Sequence, residues 1–193
     1  MRDRFFYPLA IGFIAVLITY ALSLGGEGTA ASEQEIIANG FVIAGEDLSL
    51  LTASPGTIFT PVKNMAGAVD FIEARATQPR DIAPPSAGVF GILGPEYEKA
   101  FADKEIKITV TARQAKTNPA QRMEIGYFTT GAGDSGWIKK ELTTDFTDHV
   151  ITFRPGLPQG DPGNDYIGVW PAREGLQHGV DIKSMTVMLI TSG

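Results

Sequence analysis

Two aromatic clusters hold the residue types and spacing best suited to chemistry, and that chemistry is recognition. In Tyr166-Ile167-Gly168-Val169-Trp170, the period of a strand places Ile167 and Val169 on one face and Tyr166, Gly168 and Trp170 on the other. With the aliphatic pair toward a core, two rings flank a bare backbone position on the second face. Such rings stack on the C–H face of a sugar, while indole N–H and phenol O–H bond its hydroxyls. Trp137 ends the glycine-rich segment Gly131-Ala132-Gly133-Asp134-Ser135-Gly136-Trp137, where an exposed aromatic is unfavourable unless it packs or binds. Asp134 and Arg173 are the nearby polar partners. The candidate ligand-binding set is therefore Trp137, Tyr166, Trp170, Asp134 and Arg173. The competing placement has Tyr166 and Trp170 filling a core between sheets and Trp137 folded back as a lid.

Other chemistries lack their residues. There is no cysteine, which removes thiolate metal sites and cysteine nucleophiles. His149 and His178 form no H-x-x-x-H pair. Gly133-Asp134-Ser135-Gly136 lacks the second spacer of a nucleophile elbow, and no G-x-G-x-x-G phosphate cradle follows a strand. No activated nucleophile or acid–base pair stands out, so the chain is expected not to be an enzyme and to need no cofactor. Asp161, Asn164 and Asp165 in Gly160-Asp161-Pro162-Gly163-Asn164-Asp165 leave two options, a structural calcium or a turn with Asx hydrogen bonds.

The elements that would position these residues are strands. Gly (22) and Pro (12) punctuate short apolar runs, the pattern of strands joined by turns. In Glu105–Arg113, apolar residues take every even position and polar ones every odd position, so one face is buried and one wet. Further strands are expected at Gly40–Ala44, Ala68–Ala74, Gly88–Leu93, Met123–Thr130, His149–Arg154, Tyr166–Trp170 and Ile182–Ile190. The parity of the last slips, which a β-bulge near Lys183-Ser184 would explain. Short helices are expected at Glu33–Ala38 and at Pro95–Asp103, where Pro95 takes the first position. Crossover helices are too few for a parallel sheet. The fold class predicted is all-β, an antiparallel jelly-roll sandwich over 36–193.

The segment GVFGILGPEYEKAFADKEIKITVTARQA, the tryptophan-containing glycine loop and DYIGVWP…GVDIKSMTVMLI together resemble the bacterial carbohydrate-binding-module-like jelly rolls and are similar to the galactose-binding-like domains. The resemblance covers roughly residues 36–193. It implies a sandwich that binds glycans on a concave face or loop edge, sometimes with a structural calcium, and it implies no catalysis.

The N-terminus sets the expected compartment. Phe5–Leu24 holds no charge, and about 20 apolar residues match a bilayer core. Arg2 and Arg4 precede it, and the first basic residue after it is Lys63. The basic flank predicts a cytoplasmic N-terminus and an extracytoplasmic domain. Residues 1–25 thus read as a signal anchor, with a cleaved secretory signal as the rival, and 26–35 as a glycine-rich linker. Net charge is −6; Arg2, Asp3 and Arg4 carry +1, leaving −7 on the remainder. That balance disfavours nucleic acid and anionic lipid surfaces as partners. The expectation is a non-catalytic module of the bacterial cell envelope, single-pass in the inner membrane with its domain periplasmic, contacting a glycan or a glycan-handling complex. The alternative is a structural subunit docking on a membrane synthase or export complex.

Overall fold

The computed structural model describes residues 31–84 and 88–190. Eleven strands occur among them: β1 (Phe41–Ala44), β2 (Thr52–Ala53), β3 (Thr57–Lys63), β4 (Val69–Ala76), β5 (Val89–Leu93), β6 (Ile106–Gln114), β7 (Arg122–Phe128), β8 (Ile138–Glu141), β9 (Thr147–Phe153), β10 (Asp165–Trp170) and β11 (Gly179–Leu189). One sheet runs β3-β4-β11-β6-β9, with β1 also on β11; the other runs β2-β5-β10-β7-β8. Every strand pair is antiparallel. The predicted strands are all present. The β11 bulge falls where parity slips, between Ile182 and Ser184.

The two sheets share one core. Ile108, Val110 and Ala112 of β6 meet Ile182, Met185 and Val187 of β11, and Ile125, Ile167 and Val169 supply the facing layer; all are fully buried. Gly91 shows how closely the layers approach, because a Cβ there would collide with Ile43 Cδ1 from the opposite sheet.

Helix α1 (Glu33–Asn39) starts inside the stretch read as linker. Ser32 and Glu35 form a reciprocal capping box that satisfies its first N–H groups. Helix α2 (Pro95–Phe101) opens on proline, as expected, and buries Glu98, Ala100 and Phe101. No helix among the described residues is long and apolar enough to cross a membrane. The Phe5–Leu24 segment lies outside the described residues.

Candidate functional site

Strand register assembles the site on the outer face of the five-stranded sheet. Tyr166 and Gly168 of β10 pair with Ile92 and Phe90 of β5 on one side. On the other side, Tyr166, Gly168 and Trp170 pair with Phe128, Gly126 and Glu124 of β7. All of these share a face, since directly paired residues project to the same side. Two glycines therefore lie side by side mid-sheet, with aromatics around them. The bare backbone at Gly126 lets the Phe128 ring lie across it, where a Cβ would sit 2.5 Å from that ring. Trp137 packs on Phe128 with ring centroids 5.0 Å apart, and Tyr166 meets Phe90 edge-on at 5.6 Å.

Trp137 and Tyr166 are half-buried and present ring surface. Trp170 corrects the sequence reading. It is 0% exposed, its Nε1–H donates to the Ala172 carbonyl at 2.7 Å, and the Arg80 guanidinium covers it with Cζ 5.4 Å from the ring. The ring is thus the floor of the site and cannot stack on a ligand. Asp134 is a second correction. It is exposed, and its Oδ1 accepts the N–H of Gly136 at 2.9 Å. The carboxylate closes its own turn and is not among the residues lining the pocket that holds Trp137 and Arg173.

Arg173 does join the site. An open pocket of about 300 Å3 is lined by Arg80, Asp81, Ala83, Glu124, Trp137 and Arg173. Arg173 Nη1 donates to Glu124 Oε1 at 3.0 Å and Nη2 to Asp81 Oδ1 at 2.5 Å. These bonds, above all the one with Glu124, hold the guanidinium pKa above its ordinary value. Arg80, nearly buried, lies 4.9 Å from the Trp137 centroid. Burial pulls its pKa down and the Glu124 charge pushes it up. Glu124 is only 5% exposed, and its Oε2 is buried with no hydrogen-bond donor among the described residues.

The pocket therefore pairs two cations with two carboxylates beside an indole. It can offer hydrogen bonds to hydroxyls and an aromatic wall to a ring, and it holds no surplus charge. Sequence reasoning missed Arg80, Asp81 and Glu124. Glu124 carried a faint signal, a charge alternating with Met123, Ile125 and Tyr127 in an apolar strand; Arg80 and Asp81, in a three-residue 3-10 helix, carried none.

The loop 160–165 does not converge on a cation. Asp165 turns into the core and accepts the Tyr127 O–H at 2.6 Å, while Asp161 and Asn164 are exposed. A second concavity of about 360 Å3, lined by Phe41, Val42, Ile43, Asp47, Leu50, Gly91 and Ile92, is apolar save for Asp47 and offers little to a sugar.

No family model matches the chain, and no curated protein matches it. Solved structures do. The CBM22-1 xylan-binding domain from Paenibacillus barcinonensis Xyn10C is 6% identical with a TM-score of 0.50, over 74% of this chain and 87% of that one. The CBM22-1–GH10 modules of Clostridium thermocellum endo-1,4-β-D-xylanase 10B, complexed with xylohexaose, are 9% identical with a TM-score of 0.51, over 72% of this chain and 26% of that one. The CBM22-1–CBM22-2 tandem from the Paenibacillus protein is 8% identical with a TM-score of 0.51, over 74% of this chain and 41% of that one. The fold is that of the carbohydrate-binding-module jelly rolls. At these identities the likeness is one of fold.

Proposed function

We propose that the chain is a non-catalytic glycan-binding module, with its ligand along the outer face of the five-stranded sheet. Trp137 and Tyr166 are the aromatic contacts, and Glu124 and Arg173 are the polar end. The observation that carries this reading is the meeting, in one pocket, of a half-buried indole with a buried carboxylate oxygen that lacks a donor. A sugar can set a C–H face against the indole, which already packs on Phe128 and Arg80, and its hydroxyls can bond the exposed groups of the Asp81–Arg173–Glu124 cluster. Two of the similar folds are modules whose names carry xylan or xylohexaose, so a neutral β-linked oligosaccharide is the first ligand to try.

Isothermal calorimetry with xylohexaose and a panel of cell-envelope oligosaccharides tests the reading. Trp137→Ala is expected to weaken binding about ten-fold, or about 1.4 kcal/mol. No binding across the panel, or unchanged affinity in both Trp137→Ala and Tyr166→Ala, rejects the face as the site. The apolar run Phe5–Leu24 supports the further reading that this module is held at a bacterial inner membrane with its domain outside. A C-terminal reporter active only in the cytosol would reject that part.

A further inference from the structure

One guanidinium lies over both indoles of the chain. Arg80 Cζ is 4.9 Å from the Trp137 centroid and 5.4 Å from the Trp170 centroid, and these are the only two tryptophans in the sequence. The two rings differ in what else holds them. Trp170 is 0% exposed and its N–H is satisfied by the Ala172 carbonyl, so packing alone keeps it in place. Trp137 is half-buried and lines the pocket. Phe128 packs on it with centroids 5.0 Å apart, and the bare backbone of Gly88 leaves the ring room where a Cβ would sit 3.2 Å from it. Arg80 is what connects this outer ring to the fixed inner one.

Arg80 is itself anchored by more than its charge. It opens the 3-10 turn Arg80–Ile82 and is 8% exposed. Its N–H donates to the Arg173 carbonyl at 2.8 Å, and its carbonyl accepts the Ala83 N–H at 3.1 Å. Its Nη1 donates to the Ala83 carbonyl at 3.3 Å. The segment after β10 backs this turn closely. Gln177 N–H donates to the Ala76 carbonyl at 3.0 Å, and a Cβ at Gly175 would sit 2.6 Å from the Gln78 carbonyl carbon. Arg173 ties the turn again through Asp81. A guanidinium is planar, weakly hydrated and always charged, which suits contact with two aromatic faces away from water; an ammonium is a compact, strongly hydrated point.

We propose that Arg80 is the positioning residue of this face: its guanidinium couples Trp137 to the fixed ring of Trp170 and so holds the indole wall in the orientation that meets a ligand. The role requires a planar cation, and Arg80 acts through Trp137 and not by bonding the ligand. The consequence for affinity rests on the glycan-binding reading; the consequence for the indole does not.

The test joins ring dynamics to a mutant cycle, on the full chain. The two indole N–H signals are followed by nitrogen-15 relaxation, and the signal lost in Trp137→Ala identifies that ring. In Arg80→Lys and in Arg80→Met, the Trp137 ring is expected to become mobile while Trp170 stays ordered. In calorimetry with xylohexaose, Arg80→Lys is expected to weaken binding about five-fold. It is expected to cost nothing further in a chain that already carries Trp137→Ala. Equal losses in both backgrounds overturn the positioning role, because Arg80 would then contact the sugar directly. An ordered Trp137 ring in both Arg80 variants overturns it as well. So does failure of both variants to fold, which would make Arg80 a residue of the core. The two readings fail separately: no binding by the wild type counts against the glycan module, and the relaxation measurement still decides whether Arg80 positions Trp137.

Discussion

At the scale of single residues, the two tryptophans divide the labour of the face. Trp170 is interior, with its N–H satisfied and Arg80 across its ring. Trp137 keeps one side toward the pocket. Truncating a fully buried tryptophan removes its transfer free energy and leaves a cavity. Trp170→Ala is therefore expected to destabilise the domain by about 3–5 kcal/mol, read from the midpoint of urea unfolding. Trp137→Ala should lose less stability and more ligand affinity. Equal stability losses would mean that Trp137 is a core residue and the pocket has no aromatic wall. Glu124 gives a second residue-scale expectation. Glu124→Gln keeps the shape but weakens the charge-assisted bond to Arg173, and hydrogen bonds to charged groups contribute about 1.5–3 kcal/mol. Ligand affinity should drop several-fold in calorimetry, and the unfolding midpoint should fall too, by less than a fully buried charged bond would cost because Arg173 is half exposed and keeps Asp81.

At the scale of elements, the strands with clean period-2 alternation, β6 above all, were readable in the sequence, and so was the bulge in β11. β3 was not. It carries Pro61, is mostly exposed and lies at a sheet edge, where proline is tolerated because one side of the ladder is unpaired. β8 is four residues with three charges, and only pairing with β7 makes it a strand. The same reason hid half of the candidate site: Glu124 reaches Trp170 by register between distant strands, and Arg80 arrives on a single 3-10 turn, Arg80–Ile82, so no local pattern reports either. Trp137, Tyr166 and Arg173 stand out in the sequence by residue type, and the structure brings Trp137 and Arg173 into one pocket. One element boundary is itself testable. Gly88 leads into β5 at φ 124°, a Cβ there would sit 2.7 Å from the Val169 carbonyl oxygen and 3.2 Å from the Trp137 ring, and Ser54 bonds both its N–H and its carbonyl. Strain of this kind amounts to about 1–3 kcal/mol. Gly88→Ala should lower the unfolding midpoint accordingly and shift Trp137 emission. An unchanged spectrum would mean that the turn adjusts without disturbing the indole.

At the scale of the whole molecule, a domain without disulfides depends on packing, and a buried ionisable group then shows in its global stability. The Asp165 pKa is raised to about 7 in the fold, against about 3.9 in the unfolded chain. Between those values the unfolded chain has released this proton and the native state still binds it. Stability from this group is therefore fully present below about pH 4 and declines as pH rises toward 7, at no more than about 1.4 kcal/mol per pH unit. Above that both states are ionised and the decline stops. Other carboxylates add their own slopes, so the informative quantity is the wild-type unfolding free energy minus that of Asp165→Asn, which keeps the side chain neutral throughout. That difference is expected to fall from pH 5 to pH 7 and to level off by pH 8. A difference that rises with pH would mean Asp165 is stabilised as the anion by a partner in the core, and a flat one would mean the fold leaves its ionisation untouched. Either result would mean that the fold does not hold the Asp165 proton above the ordinary carboxylate range.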